Sequence, residues 1–400
     1  MMLSEELLYE LWLSVLCKHD PVLIYRCIGK FGTPAEIYGM AKNPIKKHKL
    51  KGIRDAVGFD PSMDKAKRLA EECERRGIRM IGISDPDYPK RLFYIDCPPR
   101  ILYCKGELPP IDDLVCITIV GSRKCPESIR RLTRNIARDL AGAGVLVISG
   151  MAIGGDTSAH YGALEAGHKT VAVLAGSVDM IYPKENENLY HRILENGAIL
   201  SERPPGTVGE GSFYNERNRI LAGLSNGTLV VSGSAHSGTR ITARWAIESN
   251  RDIFVIPGNP TEKMSFVPND LLLAGATPVV TADDILGTYK VVYEKLLQNG
   301  IRMKKAPPQI PEIPPNKPLN EGGTKWEKPV LEKTFEDFEG KNRTVLKYLY
   351  DHEGRAHIDE IAAGCDMRIP ELNSTLMLLQ MKSAVKKEAG GMYVMVNKRK

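Results

Sequence analysis

An apolar, β-branched run ending in Gly, Ser and Arg lies in the middle of the chain: Val115-Cys116-Ile117-Thr118-Ile119-Val120-Gly121-Ser122-Arg123. A helical pattern follows it, and the same order of strand, small residues and helix recurs up to Pro260. The strand ends read Val120-Gly121-Ser122-Arg123, Ser149-Gly150-Met151-Ala152, Ala175-Gly176-Ser177, Leu200-Ser201-Glu202, Val231-Ser232-Gly233 and Pro257-Gly258-Asn259. Apolar strands that alternate with helices predict an α/β fold with a buried parallel sheet. The strand ends of such a sheet meet at one crevice, where ligands bind.

The composition is that of an ordinary globular protein. The chain has 400 residues, of which 42% are hydrophobic and 26% charged, so more than one domain is expected. A net charge of +6 permits nucleic-acid binding but does not establish it. The eight cysteines form no Cys-x-x-Cys pair, so zinc and dithiol redox sites have no signature, and we expect neither a metal nor a cofactor. Without a signal-peptide pattern or a membrane-length apolar run, a cytoplasmic location and no membrane partner are expected.

Changes in composition divide the chain into five predicted segments. The first is a small helical domain, either SAM-like and related to DNA-binding helix-hairpin-helix units or a plain helical bundle. A Rossmann-like domain holds the repeated strands, and three helices with a closing hairpin predict a C-terminal winged-helix domain. That domain could read duplex DNA or contact protein. The segments are the helical domain at 1–75, a connecting segment at 76–110, the Rossmann-like domain at 111–290, a Pro-rich linker at 291–340 and the winged helix at 341–400.

Two helix starts at the predicted crevice are candidate anion sites. Gly121, Ser122 and Arg123 follow the first strand, where an arginine can grip a phosphate through two hydrogen bonds. Ser237 and Gly238 open a later helix, whose free N–H groups form a second anion cradle. The chain contains neither a Gly-x-Gly-x-x-Gly nor a P-loop motif, which makes the usual nucleotide sites weak interpretations.

The second strand end leads into a glycine-rich stretch. Candidate ligand contacts there are Gly150, Met151 and Ala152. Asp156 and His160 are four residues apart and share a helix face, which would suit a metal pair if a third ligand were evident. We instead interpret both as capping and packing residues, and we group Thr242 with them as a structural loop residue.

The stretch from Phe213 to Ile220 combines aromatic and basic residues. Aromatic rings stack on bases and arginines hold phosphates, whereas the alternative is a core contact with ordinary ion pairs. Arg217 and Arg219 are two residues apart, so they lie on different helix faces. We expect one of them to reach the crevice and the other to brace the fold, with Asn218 between them.

The ordered motifs resemble the DprA/Smf family of DNA-processing proteins over nearly the whole chain. This resemblance implies a Rossmann-like domain that binds single-stranded DNA, usually as a homodimer. It further implies loading of the RecA recombinase during natural transformation. It places the DNA pocket at Arg123 and at Phe213, Arg217, Asn218 and Arg219, with Lys184 as a further phosphate contact. The matching motifs are Tyr88-Pro89, Pro98-Pro99, Lys105-Gly106, Val120–Arg123, Ser149-Gly150, Asp156, Ala159-His160, Tyr182-Pro183, Ser201-Glu202, Phe213, Arg217–Ile220, Ser237-Gly238, Ile241–Ala243 and Pro257-Gly258.

Several positions depart from the family pattern, among them Val267-Pro268-Asn269 in place of its Gly-x-Asn, and three of them keep alternatives open. Ile153 stands where the family usually has Arg, Gly155 where it has Ile, and Ser232 where it commonly has Glu. A nucleotide phosphoribohydrolase is the enzymatic alternative, but Thr242 occupies the place of its catalytic glutamate. A nucleotide-sensing regulator would use the same crevice. The leading hypothesis is a non-catalytic mediator that binds single-stranded DNA.

Overall fold

The computed structural model describes residues 4–43, 62–290, 338–381, 384–388 and 391–396. Most of the predicted linker at 291–340 therefore lies outside the described residues. In the part of the chain that is described, no helix is long and apolar enough to cross a membrane.

Within the described ranges, four helices precede the sheet. They are α1 (Glu5–Leu16), α2 (Pro21–Phe31), α3 (Pro34–Lys42) and α4 (Asp64–Arg75). Side chains cap the first three: Ser4, Asp20 and Thr33 each accept a backbone N–H from the first turn. The apolar side of α1 is buried at Leu11, which packs with residues of the other helices and of the sheet. The predicted helical N-terminus is confirmed.

A nine-stranded sheet forms the centre of the molecule in the order β1-β2-β6-β5-β4-β3-β7-β8-β9. The pairs β1–β2 and β2–β6 are antiparallel, and every other neighbouring pair of this sheet, including β5–β6, is parallel. The predicted α/β class with a parallel sheet is confirmed. The strands are β1 (Arg79–Gly82), β2 (Ile101–Gly106), β3 (Cys116–Gly121), β4 (Leu146–Ser149), β5 (Thr170–Val173), β6 (Gly197–Ser201), β7 (Gly227–Ser232), β8 (Asp252–Val255) and β9 (Thr277–Pro278).

The segment 76–110, predicted as a connection, includes β1 and β2 and so extends the main sheet. Its second strand pairs with β6, from Tyr103 opposite Ser201 to Gly106 opposite Ala198. The sequence predicted only a connection here, because prolines and turn residues surround a short apolar run.

Helices cover both faces of the sheet. On one face lie α5 (Glu127–Gly142), α6 (Gly155–Glu165) and α7 (Glu187–Glu195), and on the other α8 (Phe213–Leu224), α9 (Gly238–Glu248) and α10 (Phe266–Leu273). The helix α11 (Ala282–Lys290) follows β9 and packs on the first face. Successive strand residues alternate between the faces: Ile119 packs with the α5 layer, and Val120 with the α8 layer.

The C-terminal unit has a core of its own. Its elements are α12 (Gly340–Asp351), β10 (Arg355–His357), α13 (Ile358–Gly364), α14 (Ile369–Met381), β11 (Val385–Lys387) and β12 (Met392–Met395). The three strands form an antiparallel sheet in the order β10-β12-β11. This order of elements is compatible with a winged helix, but that assignment stays a prediction.

The C-terminal unit contacts the main body at the amino end of β8. Arg251 donates from Nη1 to both carboxylate oxygens of Asp359 at 2.8 Å and from Nη2 to the carbonyl of Gly223 at 3.2 Å. The amide of Asn373 on α14 donates to the carbonyl of Glu248. These contacts place the unit at the opposite end of the strands from the crevice.

We expect Asp359→Asn to loosen the C-terminal unit. The Arg251 side chain is 1% exposed, and removing one partner of a buried ion pair costs about 3–5 kcal/mol. Hydrogen exchange should accelerate around Arg251 and α13 and stay unchanged at the sheet centre. The exposed Asp351→Asn is the matched control, and equal exchange in both variants would contradict the expectation.

Acid should release the same contact. Burial alone would raise the pKa of Asp359, but the charges of Arg251 and His357 outweigh it and hold that pKa below its usual value. A carboxyl with a lowered pKa stabilises the folded form above its ordinary pKa, and the stabilisation is lost as pH falls through the lowered value. The contact therefore persists at neutral pH.

Candidate functional site

Two connected cavities open at the carboxyl ends of the parallel strands. The chain runs from β3 to β6 in one direction across the sheet and then continues from β7 in the other, so β3 and β7 flank the topological switch point. Ligands of open α/β sheets bind at such a point. The predicted crevice is therefore present, and its two parts differ in chemistry.

The polar cavity encloses about 420 Å³. Four cationic side chains line it: Arg123, Lys124, Arg217 and Lys263. Several side chains with hydroxyl or amide groups also line this cavity. Of the predicted site residues, those that line it are Gly121, Ser122, Arg123, Ala152, Asp156, Arg217, Asn218, Ser237, Gly238 and Thr242.

The apolar cavity encloses about 490 Å³ and joins the polar cavity at Arg123, Ala152, Tyr214 and Arg217. Four of its apolar side chains are substantially exposed: Ile153, Met180, Tyr182 and Val208. Of the predicted residues, Gly150, Met151 and Lys184 also line it. The lining of this cavity suits a flat, apolar ring, whereas the lining of the polar cavity suits an anion.

Arg123 lies where the two cavities meet. Its side chain is exposed, and its guanidinium carbon lies 5.5 Å from the centroid of the Tyr214 ring. Within the described ranges no carboxylate forms an ion pair with Arg123, whereas most other arginines of this domain have one. A guanidinium held in place by a ring and left without a counterion is available to an anionic ligand.

Arg217 is fixed within the wall of both cavities. Its Nη1 donates to the carbonyl of Gly150 at 2.9 Å and to that of Val173, and its Nε donates to Oδ1 of Asn218 at 3.1 Å. Gly150 is required here because a Cβ would come within 2.5 Å of the guanidinium. Arg217 thus connects α8 with the ends of β4 and β5 and brings a buried positive charge to the crevice.

Asp156 occupies part of the anion cradle that the sequence suggested. Its carboxylate accepts the N–H groups of Gly121 at 3.1 Å and of Ala152 at 3.4 Å. Burial raises the pKa of Asp156, and the nearby charge of Arg217 opposes that rise. Those two backbone donors are engaged within the protein, so an external anion must rely on side chains and on other helix starts.

His160 is buried one turn beyond Asp156. Its Nδ1 lies 2.8 Å from Oγ1 of Thr170, and burial lowers the pKa of His160 to about 3, so its ring is neutral at physiological pH. No group of three His, Cys, Asp or Glu side chains among the described residues is arranged to hold a metal ion.

Two of the three departures from the family pattern have a local geometric role. A Cβ on Gly155 would meet the Cα of Gly121 at 2.6 Å, so the start of α6 approaches the end of β3 directly. Ser232 accepts the N–H of Ser122 at 3.0 Å with its hydroxyl. Both residues therefore hold the loop that carries Arg123. Ile153, the third departure, is exposed in the apolar cavity.

The start of α9 faces the polar cavity. Ser237 caps this helix by accepting the N–H of Thr239, and Gly238 is exposed beside it. The first-turn N–H groups of a helix attract anions. Thr242, which is 2% exposed, completes the wall one turn further.

Phe213 and Arg219 lie away from both cavities. The guanidinium of Arg203 covers the Phe213 ring at 3.9 Å, and Arg219 donates to both carboxylate oxygens of Glu202 at 2.7 and 2.6 Å. The Arg219 side chain is 4% exposed. Neither residue lines the two cavities, and the DNA contacts that the resemblance implied for them stay predictions.

Met151 offers the crevice backbone rather than an exposed side chain. It is fully buried, adopts a positive φ of 61°, and its carbonyl accepts a hydrogen bond from Asn186 at 2.8 Å. Sequence reasoning proposed it as a ligand contact because it follows Gly150, but the strand-end pattern carries no information on side-chain direction.

The structure adds residues that sequence reasoning left out of the site, among them Tyr214, Tyr182 and Lys263. Tyr214 lines both cavities, Tyr182 lines the apolar one, and Lys263 lines the polar one. Tyr214 is adjacent to Phe213, and Tyr182 belongs to the Tyr182-Pro183 motif, so the sequence contained a signal for both residues. Lys263 lies in a short turn after β8, and nothing in its local sequence marks it.

Comparisons with known proteins show what this chain is similar to. A family model described as DNA recombination-mediator protein A matches residues 79–290. Protein Smf of Synechocystis is 32% identical over 332 residues, or 82% of each chain. DNA processing protein DprA of Bacillus subtilis is 31% identical over 284 residues, covering 71% of this chain and 90% of the relative. The solved structure of DNA processing protein A from Streptococcus pneumoniae has 28% identity and a TM-score of 0.59, and covers 72% of this chain and 98% of that one.

Proposed function

Since this chain belongs to the DNA recombination-mediator protein A family, we propose that it binds single-stranded DNA in the crevice and loads the RecA recombinase onto that strand. In this proposal it acts during DNA uptake as a mediator without catalytic activity of its own. The single observation that carries the DNA-binding part is the position of Arg123. An exposed arginine that pairs with no carboxylate of the described residues lies between a cationic cavity and an apolar, aromatic one.

Single-stranded DNA needs both kinds of surface. Its phosphates are held by cations, and its unpaired bases stack on aromatic rings. We assign the phosphates to the polar cavity, with Arg123, Lys124 and Lys263, and one base to the apolar cavity beside Tyr182 and Tyr214. The contacts involved are general to nucleic acid, so little sequence preference is expected.

The phosphoribohydrolase alternative lacks its carboxylate at the expected position, although the exposed Glu185 lines the connected apolar cavity. Asp156 is the carboxylate among the described residues that line the polar cavity, and it is buried and bound to backbone N–H groups. Thr242, in the position of the expected glutamate, offers only a hydroxyl. A general acid or base must be free to exchange a proton with the substrate.

The function is tested by RecA assembly on single-stranded DNA coated with SSB. The purified full-length chain should shorten the lag before RecA filaments form, and Arg123→Ala should restore the lag. If the protein bound single-stranded DNA but did not change the lag, the DNA site would be supported and the RecA role would be contradicted. The absence of single-strand binding would remove both.

We further propose that the Rossmann-like domain forms a homodimer through the β9 edge of the sheet. Leu273 is 90% exposed and Val280 is 62% exposed, next to an edge strand of two residues. Phe266 lies seven residues before Leu273 on the same face of α10 and is also exposed. An exposed apolar edge of this kind is typical of a surface that pairs with a second copy.

Leu273→Glu should convert the dimer to a monomer. Two like charges brought into a two-fold interface repel each other and lose hydration, because the same patch meets itself. Light scattering coupled to gel filtration measures the mass. Val22→Glu, at an exposed valine on α2, is the control and should stay dimeric. A monomeric wild type, or a dimeric Leu273→Glu, would contradict the proposal.

A further inference from the structure

Tyr161 and two arginines form a mixed aromatic and basic cluster outside the crevice. The half-buried Tyr161 ring lies on α6, with the guanidinium carbon of Arg134 at 5.5 Å from its centroid and that of Arg192 at 5.4 Å. Arg134, on α5, also donates to Glu165 at 2.7 Å. Arg192, on α7, forms no ion pair with any described carboxylate. This Tyr161 cluster therefore keeps at least one uncompensated positive charge.

The cluster spans three adjacent helices. The strands β3, β4, β5 and β6 are neighbours in the order in which the chain makes them. Right-handed crossovers then place α5, α6 and α7 side by side on one face of the sheet. Tyr161 lies on the middle helix, so its two arginines extend toward it from both sides and form a continuous surface.

The same helix begins at the crevice. Gly155, its first residue, packs against Gly121, and Thr157 accepts a hydrogen bond from Asn186, two residues after Lys184. Tyr161 follows Gly155 by six residues, or about 9 Å along a helix that rises about 1.5 Å per residue. A strand leaving the apolar cavity past Lys184 can therefore reach the Tyr161 cluster, an aromatic ring with cations, along the same helix.

We propose that single-stranded DNA continues from the crevice over α6, where one base stacks on the Tyr161 cluster and flanking phosphates pair with Arg134 and Arg192. Guanidinium planes and tyrosine rings both stack on bases, and arginine adds phosphate contacts. This inference rests on the proposed function, because it extends the same strand beyond the crevice. It assigns DNA binding to a surface that would otherwise be interpreted as a solvated helix face.

Strand length separates the two sites experimentally. Oligonucleotides of roughly 6 nucleotides should occupy the crevice alone, and those of roughly 20 nucleotides should also reach the cluster. With the full-length protein, Tyr161→Leu and Arg192→Gln should weaken binding of the long strand roughly five- to hundredfold, as expected for one lost stacked base. Binding of the short strand should be unchanged. Arg192→Gln should also reduce the log–log salt slope on the long strand by roughly 0.7.

The opposite face of the sheet offers a matched control. Arg244 lies 5.6 Å from the Trp245 ring on α9, six residues after Gly238 begins that helix at the polar cavity. Arg244→Gln and Trp245→Leu therefore remove one cation, which here pairs with Glu248, and a comparable half-buried ring at the same depth. We expect them to leave long-strand binding as in the wild type. If they weaken it while the Tyr161 cluster variants do not, the strand leaves over α9 and the proposal is wrong.

A variant that keeps a ring distinguishes stacking from mere stability. Tyr161→Trp should retain long-strand affinity, and its added fluorescence should be quenched by the long strand and not by the short one. Wild-type affinity in Tyr161→Leu and Arg192→Gln, or equal quenching by both lengths, would overturn the inference. If neither strand length shows binding that depends on Arg123, the crevice itself is not the DNA site. That result differs from a failure at the Tyr161 cluster alone, so failure of the proposed function and failure of this inference are distinguishable.

Discussion

Replacing Arg123 with alanine should weaken binding of mixed-sequence single-stranded DNA by about ten- to hundredfold at low salt. A charge-assisted hydrogen bond contributes about 1.5–3 kcal/mol, and Arg123 has no protein carboxylate to compete for it in the described structure. The log–log dependence of affinity on salt should become shallower by roughly 0.7 for each lost phosphate contact. Fluorescence anisotropy titrations across a range of salt concentrations measure both quantities.

The control for Arg123→Ala is Arg68→Ala, which removes an equally exposed cation from α4 in the N-terminal helices. This variant should keep both the wild-type affinity and the wild-type salt slope. Since the Arg123 side chain is exposed, neither substitution should change the thermal midpoint by much. Unchanged affinity and slope for Arg123→Ala would remove Arg123 from the DNA site.

Replacing Arg217 with lysine should impair folding and DNA binding together. Lysine keeps the charge but cannot reach the carbonyls of Gly150 and Val173 and the side chain of Asn218 at once. Losing one or two hydrogen bonds of a charged, buried group costs about 2–5 kcal/mol. Single-strand affinity should fall by at least about tenfold, because the crevice wall shifts. Thermal unfolding and anisotropy of the same sample report the two effects.

Arg219→Lys separates these effects. Arg219 is as buried as Arg217 and binds Glu202 through both carboxylate oxygens, but it lies outside the two cavities. We expect this variant to lose stability and to keep most of its single-strand affinity at a temperature where it is folded. If Arg219→Lys remained folded but no longer bound single-stranded DNA, the DNA site would have to include residues outside the two cavities.

The sequence could locate the crevice because the topology of a parallel sheet leaves little freedom in where the carboxyl ends of its strands lie. Apolar β-branched runs at regular spacing produce buried strands, and their carboxyl ends share one edge. Arg123 follows the first of these ends directly, so its position could be predicted. The spacing of Arg217 and Arg219 likewise predicted that they would face different ways. It could not show which one faces the crevice, since that depends on how α8 packs.

The tertiary contacts that sequence reasoning missed involve partners far apart in the chain. Phe213 was expected to contact DNA, whereas Arg203 covers its ring and leaves Tyr214 to the cavities. Lys263 joins Arg123 only because β3 and β7 are neighbours in the sheet. Asp156 was expected to be a helix cap, and nothing local indicated that it would accept the N–H of Gly121 at the adjacent strand end.

Photo-crosslinking of single-stranded DNA that carries bromodeoxyuridine tests the central proposal most directly. Mass spectrometry of the full-length protein then identifies the residues that touch a base. We predict crosslinks at Tyr182 or Tyr214 in the apolar cavity, and their loss in Arg123→Ala. Crosslinks confined to the N-terminal helices or to the C-terminal unit, with none at either tyrosine, would contradict DNA binding in the crevice.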